Sequence, residues 1–473
     1  MTNASEYHPG DSVYIRDLDM VCNIEKELGS GTQGKVYSLI CPDNSDLVLK
    51  WYFTNMATDE QFEILKFLTT NPSPSEKFLW PLAIVEDYSK SGFGYVMSRK
   101  DNRFKSFSLW LSRKVEPTFK VLLTSCFEIC QNFHILHSKG LCYQDLSLNN
   151  LYFDPANGDI RIGDTDNIVV NGSNKGNVIG TPKFMAPEVI TGNTLPNTQT
   201  DLYSLAVLLF YILFLNHPLE GKKETEIKSL DLPSMEHLYG VNPIFIFDPE
   251  DKSNYPDPIY HHNALIFWDI YPKVFKNLFI RSFTEGIRDP LHGRVRETEW
   301  KIALSELRDS IFHCYKCGSE NFLQFRTICE RNDKVVSDIM DHTSTIINTR
   351  SEKVVRAKDT SFVVCWNPKC RNSNIHVMFL LIEGRLMVTL NHDTKLYSHH
   401  INPDNRYDFN SPIAEVTRHP KDENVWGLRN LSQNTWEVFK PDTGTVKVYP
   451  QQNLLLTTNT EINFGFSRGK ICY

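Results

Sequence analysis

The stretch ELGSGTQGKVY contains three glycines, Gly29, Gly31 and Gly34, between runs of residues that alternate in the manner of strands. Backbone N–H groups bind phosphate oxygens, and a Cβ atom would keep a phosphate away from them. This spacing is compatible with phosphate binding. Glycine-rich hairpins are also common as plain structural turns, and for the stretch alone a structural turn is the favoured interpretation.

Polar residues suited to phosphate chemistry recur later in the chain. Lys50 ends the apolar run LVLK, 14 residues after Val36. Asp145 and Asn150 lie five residues apart in YQDLSLNN, and the strand-like run IRIG leads directly into Asp164. Each feature is weak alone, because a charged residue at a strand end is usually only solvated. Their order along one chain favours a single phosphotransfer site.

Two further segments follow in the same order. GTPKFMAPE contains Thr181 and Glu188, and TDLYSLAVLLFYI places Asp201 at the head of an apolar helix. With these segments, residues 20–310 resemble the Hanks-type family of serine/threonine protein kinases. The resemblance implies a two-lobed fold, ATP and Mg²⁺ as cofactors, and the Ser/Thr hydroxyls of proteins as substrates.

The resemblance also implies a role for each site residue. Lys50 is expected to neutralise the α/β-phosphates of ATP, and Asp145 to accept or orient the hydroxyl proton of the substrate. Asn150 and Asp164 are expected to hold Mg²⁺. The ATP phosphates are expected beneath a loop and strand that comprise Gly29, Ser30, Gly31, Thr32, Gln33, Gly34 and Val36.

The lysine is expected to need an acidic partner on the helical segment 58–69. Glu60 is the residue that we include in the nucleotide site. Glu63 competes with it, and the apolar register of the segment would fit Gln61 as well. The sequence leaves open which of the three faces Lys50.

Residues outside the nucleotide site are expected to support it. Thr181 should lie on the loop that receives the substrate. Glu188 should form an ion pair with Arg294 in GRVRETEW, and Asp201 should brace the catalytic loop through backbone hydrogen bonds.

Several positions depart from the family pattern. Tyr143 and Gln144 precede the catalytic aspartate where His-Arg is usual, so no cation is present there to bind a phosphorylated activation loop. Ser147 stands where a lysine is common near the γ-phosphate. Val48 replaces a small alanine over the adenine, which predicts a tighter pocket.

The metal-binding segment departs as well. Asp164-Thr165-Asp166 stands where Asp-Phe-Gly is usual, which changes a packing residue and not a metal ligand. The lysine, the catalytic aspartate and both metal ligands are all present, so we expect an active enzyme. The first alternative is a pseudokinase scaffold that binds ATP or phosphopeptides without efficient catalysis. The second is a small-molecule kinase of the aminoglycoside or choline type, against which the Ala-Pro-Glu segment argues.

The elements that must position these residues are visible in the hydrophobic pattern. Residues 24–50 alternate as strands, and residues 58–69 carry apolar side chains at helical spacing. From about residue 117 the pattern becomes helical. The apolar run Leu202–Leu215 has 14 residues, too few to cross a bilayer, and is interpreted as a buried core helix. A strand-rich part followed by a helix-rich part predicts two lobes.

Composition restricts the function classes. The chain of 473 residues has a formal net charge of −7 and a pI near 6.1. This balance argues against nucleic-acid binding or a basic membrane-binding surface as the main function. The polar start MTNASEYHPGDSVY has no apolar signal core. We expect a cytoplasmic protein with no nucleic-acid or membrane partner.

Four of the 11 cysteines form two close pairs. Cys314 and Cys317 lie in CYKCGSEN, and Cys365 and Cys370 in CWNPKC, with 47 residues between the pairs. Four thiolates are a common ligand set for structural Zn²⁺. The alternative is four ordinary buried cysteines, and clustering makes zinc the better interpretation.

The last hundred residues read as an all-β module with turn signals between short strands. The stretch from VWGLRNLSQ to EINFG resembles the second half of a forkhead-associated (FHA) domain, a β-sandwich that binds phosphothreonine. Ser432 and Asn434 would be loop residues of that kind, and phosphopeptides would be partners. A sandwich that only docks on other proteins is an equal alternative.

The predicted fold class is α+β, with a two-lobed kinase fold, a small zinc-ribbon-like segment and an all-β sandwich. The predicted domains are an N-terminal extension (1–20), a kinase domain (21–310), a zinc-ribbon-like segment (311–375) and an FHA-like sandwich (376–473).

Overall fold

The computed structural model describes residues 6–87, 89–90, 92–173, 180–323 and 362–473. They belong to two compact units, Met1–Leu304 and Ser305–Tyr473. Much of the predicted segment 311–375 lies outside the described residues, since 324–361 are not among them. None of the described helices combines the length and the apolarity that crossing a membrane requires.

The first unit begins with a six-stranded antiparallel sheet in the order β1-β2-β3-β4-β6-β5. Its strands are β1 (Ser12–Ile15), β2 (Met20–Ser30), β3 (Gly34–Ile40), β4 (Leu47–Tyr52), β5 (Ala83–Asp87) and β6 (Gly92–Ser98). Helix α1 (Asp59–Thr70) follows β4. Thr58 caps its N-terminus, since the Thr58 side chain accepts a hydrogen bond from the N–H of Gln61. It buries Ile64, Leu65 and Leu68, as the helical spacing predicts.

Strand β4 is buried on both faces. Leu47, Leu49 and Trp51 face one apolar cluster, and Val48 and Tyr52 face another. Because side chains alternate along a strand, Lys50 shares the face of Val48 and Tyr52.

The described part of the predicted extension, residues 6–20, contributes a strand and an aromatic side chain to this sheet. Strand β1 pairs with β2 from Ser12↔Asn23 to Ile15↔Met20. Tyr7 packs edge-on against Trp51, with ring centroids 5.0 Å apart. The segment therefore covers the sheet face opposite Lys50.

The rest of the first unit is mainly helical. Its helices are α2 (Phe107–Leu111), α3 (Phe119–Ser138), α4 (Pro187–Ile190), α5 (Thr198–Phe214), α6 (Lys222–Thr225), α7 (Leu232–Met235), α8 (His262–Ile270), α9 (Lys273–Phe283), α10 (Glu285–Arg288) and α11 (Glu297–Asp309), whose residues from Ser305 onward belong to the second unit. One short strand, β7 (Lys105–Ser106), precedes α2, and four lie between α3 and α4: β8 (Leu141–Cys142), β9 (Leu151–Phe153), β10 (Ile160–Ile162) and β11 (Val169–Val170). Helix α5 is almost wholly buried, which confirms the core helix predicted from the apolar run.

The second unit is dominated by antiparallel strands. Two small hairpins are formed by β12 (Ile311–His313), β13 (Glu320–Phe322), β14 (Phe362–Val364) and β15 (Ser373–Ile375). The larger strands are β16 (Phe379–Ile382), β17 (Leu386–Thr389), β18 (Lys395–Tyr397), β19 (Pro412–His419), β20 (Asp422–Asn430), β21 (Trp436–Lys440), β22 (Gly444–Val448), β23 (Asn453–Leu455), β24 (Glu461–Asn463) and β25 (Arg468–Cys472), with the short helix α12 (Ser398–Ile401).

These larger strands form two sheets. One has the order β17-β16-β25-β24-β21-β22, and the other β18-β19-β20-β23. Inward residues of both sheets, among them Leu380, Leu428 and Trp436, belong to one buried apolar cluster. Across the two units, the mixture of helices and antiparallel sheets confirms the α+β class.

Candidate active site

Lys50 lies at the centre of a buried polar cluster. It stands opposite Val36 of β3 and Tyr95 of β6, and only 6% of its surface is exposed. Its Nζ donates to both carboxylate oxygens of Asp166, at 3.0 and 2.8 Å. It also lies 3.5 Å from an oxygen of Asp164. Burial alone would lower the pKa of Lys50, but the two carboxylates outweigh it and raise that pKa, so the ammonium stays charged.

The glycine-rich loop reaches this cluster through Gln33. Its Oε1 accepts from Lys50 Nζ at 2.9 Å, and its Nε2 donates to Asn167 Oδ1 at 3.0 Å. Gly34 is required by strand packing, because an added Cβ would lie 2.1 Å from the carbonyl oxygen of Trp51. Gly29 and Gly31 have open space beside them, which is the space that a phosphate would need.

The remaining loop residues lie where the sequence places them. Ser30 ends β2 and Thr32 is exposed in the turn. Val36 packs against the apolar cluster that contains Val48, Tyr95 and Met97. This cluster forms an apolar surface on the Lys50 face of the sheet.

The contacts of Lys50 correct the prediction that its acidic partner lies on α1. Its ion-pair partners among the described residues are Asp164 and Asp166, and not Glu60. The α1 side chain hydrogen-bonded to this cluster is Gln61, whose Nε2 donates to the backbone oxygen of Asp166 at 2.9 Å and to the hydroxyl of Tyr52 at 3.1 Å. The register of α1 turns position 61 toward the sheet.

The catalytic loop joins β8 to β9. Asn150 ends a short 3₁₀ turn, Leu148–Asn150, and its Nδ2 donates to the backbone oxygen of Asp145 at 2.9 Å. The hydroxyl of Thr181 donates to Asp145 Oδ1 at 2.7 Å. This contact, which the sequence did not predict, places the segment of Thr181 beside Asp145.

Asp201 holds the same loop through hydrogen bonds to its backbone. Its carboxylate accepts from the backbone N–H groups of Tyr143 (2.6 Å) and Gln144 (3.1 Å), which confirms the predicted brace. His137 adds a contact at 3.1 Å between its Nε2 and Asp201 Oδ2. The hydroxyl of Tyr143 donates to the carbonyl oxygen of Gly163, so the tyrosine ties the loop to the residue before Asp164.

Asp164 lies at the end of the hairpin formed by β9 and β10. The N–H of Gly163 donates to the carbonyl oxygen of Asn150 at 2.7 Å, which brings Asp164 and Asn150 to the same end of this hairpin. Asp164 adopts a left-handed backbone conformation (φ 43°), and its side chain is about half exposed, at 46%. Loss of solvent in the cleft raises its pKa, and the negative charges of Asp166 and Asp145 add to that rise.

Oxygen donors at this point suit a hard divalent cation. Asn150 donates from its amide nitrogen to Asp145, which leaves its amide oxygen available as a metal ligand. A carboxylate whose pKa is raised by loss of solvent and by neighbouring carboxylates is stabilised when a cation binds. The residues present therefore fit Mg²⁺ between Asn150 and Asp164.

The predicted ion pair at the end of the substrate loop is confirmed. Arg294 Nη2 donates to both carboxylate oxygens of Glu188, at 2.6 and 2.9 Å, and Arg294 Nη1 donates to the backbone oxygen of Gln199. This bidentate pair fixes α4 against the start of α5.

Residues that the sequence did not single out complete the Lys50 cluster. Asp166 is fully buried, and the hydroxyls of Tyr52 and Tyr95 donate to it, the latter at 3.0 Å. The one available signal was a second aspartate two residues after Asp164, at a position where the family has glycine.

The second unit contains a cluster of four thiols. Cys314, Cys317, Cys365 and Cys370 place their sulfur atoms within 4.8 Å of one another. The separations are 3.8 Å for Cys314–Cys370 and 3.6 Å for Cys317–Cys365. Tetrahedral Zn²⁺ with bonds of about 2.3 Å places its sulfur ligands about 3.8 Å apart. The predicted convergence of the two pairs is confirmed, and its geometry fits a metal.

Comparison with known proteins agrees with this geometry. The protein MARK-C of Dictyostelium discoideum, described as a probable serine/threonine-protein kinase, is 26% identical over 329 residues, or 63% of this chain and 40% of that protein. Another probable serine/threonine-protein kinase of that organism, glkA, is 25% identical over 283 residues, or 50% of this chain and 57% of glkA. The cell cycle serine/threonine-protein kinase CDC5/MSD2 of Saccharomyces cerevisiae is 32% identical over 116 residues, or 23% of this chain and 16% of that protein.

The chain thus spans less than two thirds of the length of each of these relatives. A family model described as protein kinase domain matches residues 22–266. Because that match covers just over half of the chain and contains the Lys50 cluster, the catalytic loop and Asp164, the chain belongs to the protein kinase domain family.

Proposed function

We propose that this protein is an ATP- and Mg²⁺-dependent serine/threonine protein kinase that phosphorylates protein hydroxyls. The observation that carries the proposal is the 3.5 Å separation of Lys50 Nζ and Asp164. A fixed cation and a metal-binding carboxylate meet at one point, as transfer of a highly charged phosphoryl group requires. The names of the relatives support the same activity.

Each site residue has a task in this reaction. The residues that would cover the ATP phosphates are Gly29, Ser30, Gly31, Thr32, Gln33, Gly34 and Val36. Lys50 would donate from Nζ to phosphate oxygens, and Asn150 and Asp164 would hold the metal. Mg²⁺·ATP supplies the phosphoryl group together with the charge that neutralises it. Asp145 would accept the proton of the substrate hydroxyl.

The choice of hydroxyl side chains rests on the contact between Thr181 and Asp145. The Thr181 hydroxyl lies 2.7 Å from Asp145 Oδ1, so an aliphatic hydroxyl already fits beside the catalytic carboxylate. A substrate serine or threonine would replace that hydroxyl at the same oxygen. We therefore assign Ser/Thr residues of proteins as the substrates.

The test is phosphate transfer from radiolabelled ATP, with Mg²⁺, to the protein itself and to a generic protein substrate. Asp145→Asn keeps the shape of the side chain and removes its charge, and it is expected to abolish transfer while ATP still binds. Lys50→Ala and Asp164→Ala are also expected to abolish transfer, and the first is expected to weaken ATP binding more. A wild-type protein that binds ATP but transfers no phosphate would identify the pseudokinase alternative instead.

For the second unit, we propose a structural Zn²⁺ site formed by Cys314, Cys317, Cys365 and Cys370. The support is the near-tetrahedral spacing of the four sulfur atoms. All ten cysteines that the structure describes are free thiols, which also supports a reducing, cytoplasmic location. Structural zinc sites are coupled to folding, so removal of the metal should loosen this unit.

Elemental analysis of purified protein tests the zinc site. We expect about one zinc per chain, and no zinc after Cys317 and Cys365 are both replaced by serine. The matched control replaces the buried Cys126 and Cys130 of α3, and this variant should keep its zinc. Well-folded wild-type protein without zinc would refute the site.

We also propose that the two larger sheets of the second unit are an FHA-like sandwich that binds phosphothreonine peptides. The shared apolar core of the sheets supports the sandwich. Ser432 and Asn434 lie in the turn between β20 and β21, as that resemblance implies. Fluorescence anisotropy with a degenerate phosphothreonine peptide library tests this partner. Equal binding of the unphosphorylated library would refute phosphate recognition.

A further inference from the structure

We propose that Asp166, and not an acid of α1, is the residue that positions Lys50 for the nucleotide phosphates. The inference deepens the proposed kinase function and rests on it. It assigns to the metal-binding segment a task that the sequence had assigned to helix α1.

The first step concerns the hydrogen-bond partners of the buried Asp166 carboxylate. Its side chain has no exposed surface, and both carboxylate oxygens accept hydrogen bonds from Lys50 Nζ, at 3.0 and 2.8 Å. The hydroxyl of Tyr52 donates to one oxygen, and that of Tyr95 to the other. A buried carboxylate is costly unless every lone pair has a partner, and here one cation and two phenols provide the partners.

The second step concerns the neighbour from α1. Gln61 donates to the Tyr52 hydroxyl and to the backbone oxygen of Asp166. A carboxylate at position 61 would be an acceptor facing an acceptor at that backbone oxygen. The neutral amide of Gln61 and the acid at position 166 therefore depend on each other. Helix α1 stabilises the acidic partner of Lys50 through hydrogen bonds and does not itself provide that acid.

The third step is the geometric consequence. Asp164 and Asp166 flank Thr165 at a 3₁₀ turn, and the hydroxyl of Thr165 donates to the carbonyl oxygen of Leu79 at 2.7 Å. The carboxylate that would hold the metal and the carboxylate that holds Lys50 are thus two residues apart on one anchored turn. Their spacing does not depend on how α1 is oriented.

The fourth step concerns the remaining contacts of the lysine. Asp166 provides two of the contacts of Lys50 Nζ, beside Gln33 at 2.9 Å and Asp164 at 3.5 Å. Without Asp166, the buried ammonium would lose its nearest carboxylate and with it the contacts that fix its position between the glycine-rich loop and Asp164.

The experiment compares Asp166→Asn with the double variant Glu60→Gln/Glu63→Gln in the whole chain of 473 residues. Two quantities are measured: kcat/KM for ATP, and the rate at which N-acetoxysuccinimide acetylates Lys50 at pH 7.5, followed by mass spectrometry. Two hydrogen bonds to Asp166 hold the Lys50 amine inside the cluster, so their loss should free Nζ and speed its acetylation. A purely structural role of Asp166 would not change this rate in a protein that remains folded.

We expect Asp166→Asn to lower kcat/KM on the order of 100-fold and to speed the acetylation of Lys50 well beyond the wild-type rate. The α1 double variant is expected to stay within about threefold of wild type in both measurements. The inference is overturned if Asp166→Asn leaves both quantities near wild type, or if the double variant loses as much activity as expected for Asp166→Asn.

The double variant keeps the test decisive if Asp166→Asn fails to fold. Its positions on α1 are exposed or half-exposed, so folding should be retained. A wild-type protein without any phosphate transfer would refute the proposed function, whereas the acetylation rates would still decide the role of Asp166.

Discussion

The two halves of the candidate active site are held in place by different kinds of contact. The catalytic loop is held through its backbone, since Asp201 accepts from the N–H groups of Tyr143 and Gln144. The ammonium of Lys50 is held by side chains, those of Asp166, Gln33 and Asp164. The first arrangement uses groups that every residue except proline has, and the second uses groups that only particular residues have.

This difference explains which departures from the family pattern needed compensation. Tyr143 and Gln144 can replace His-Arg because their backbone N–H groups still reach Asp201. The tyrosine hydroxyl also finds an acceptor in Gly163. An α1 without an acid facing Lys50 leaves a buried ammonium in need of a carboxylate, and Asp166 supplies one.

Removal of Asp201 is expected to give the largest effect. Asp201→Ala leaves two buried N–H groups and the imidazole of His137 without their acceptor, so the free energy of unfolding should fall by about 3–5 kcal/mol, and activity with it. Urea denaturation measures the loss. The matched control is Asp289→Ala, because Asp289 also accepts two backbone N–H groups and faces His292, but in solvent. The control should lose about 1 kcal/mol or less. Equal losses of unfolding free energy in the two variants would show that burial of the Asp201 contacts adds nothing to stability.

The pH dependence of stability is expected to show the second effect. Burial would lower the pKa of His137, but hydrogen bonds to Asp201 and Glu297 raise it to about 9. Because this value lies above that of the unfolded chain, the stabilisation is complete below about pH 6.5 and is lost as the pH rises through about 9. The difference in unfolding free energy between wild type and His137→Gln should shrink by up to about 3 kcal/mol across that window. A constant difference would mean that His137 is neutral in the folded protein.

Loss of the Tyr143 hydroxyl is expected to have a smaller effect. Tyr143→Phe keeps the ring and leaves the buried carbonyl of Gly163 without this donor, which should cost about 1–3 kcal/mol. Tyr14→Phe is the control, since the exposed hydroxyl of Tyr14 donates to Asp19, and it should change stability by less than about 0.5 kcal/mol. If the two variants lose the same amount, Tyr143 does not tie the catalytic loop to the Asp164 segment.

Sequence reasoning predicted the parts of the structure that depend on local pattern. Helical spacing placed α1 over 58–69, against the observed Asp59–Thr70. The spacing of the cysteines predicted that the four thiols meet, and the resemblance to the kinase family implied the pair of Glu188 and Arg294.

The partner of Lys50 was beyond such reasoning. Lys50 and Asp166 are 116 residues apart in the chain. Their pairing depends on the direction in which a 3₁₀ turn points the buried carboxylate of Asp166. The α1 residue that faces the cluster is equally hard to predict, because the directions of Glu60 and Gln61 around the helix differ by only about a third of a turn. Ligand recognition by the second unit is equally hard to predict from sequence. The resemblance identifies the position of Ser432, but it does not reveal that the Ser432 hydroxyl donates to Asn430 within the turn.

The smallest expected effect is that of phosphorylation on activity. Gln144 is neutral and cannot bind a phosphate as an arginine would, while its backbone contact to Asp201 is independent of its side chain. Residues 165–185 contain only three hydroxyls, on Thr165, Ser173 and Thr181, of which the first donates to Leu79 and the last to Asp145. Phosphatase treatment should therefore change activity by less than about twofold, because loop order here needs no phosphate-to-arginine contact. Ser173→Ala should behave as wild type in the same assay, with Lys50→Ala as the inactive control. Activity that phosphatase abolished, and that rephosphorylation of Ser173 restored, would show that a cation elsewhere in the protein performs the role that the missing arginine has in the family.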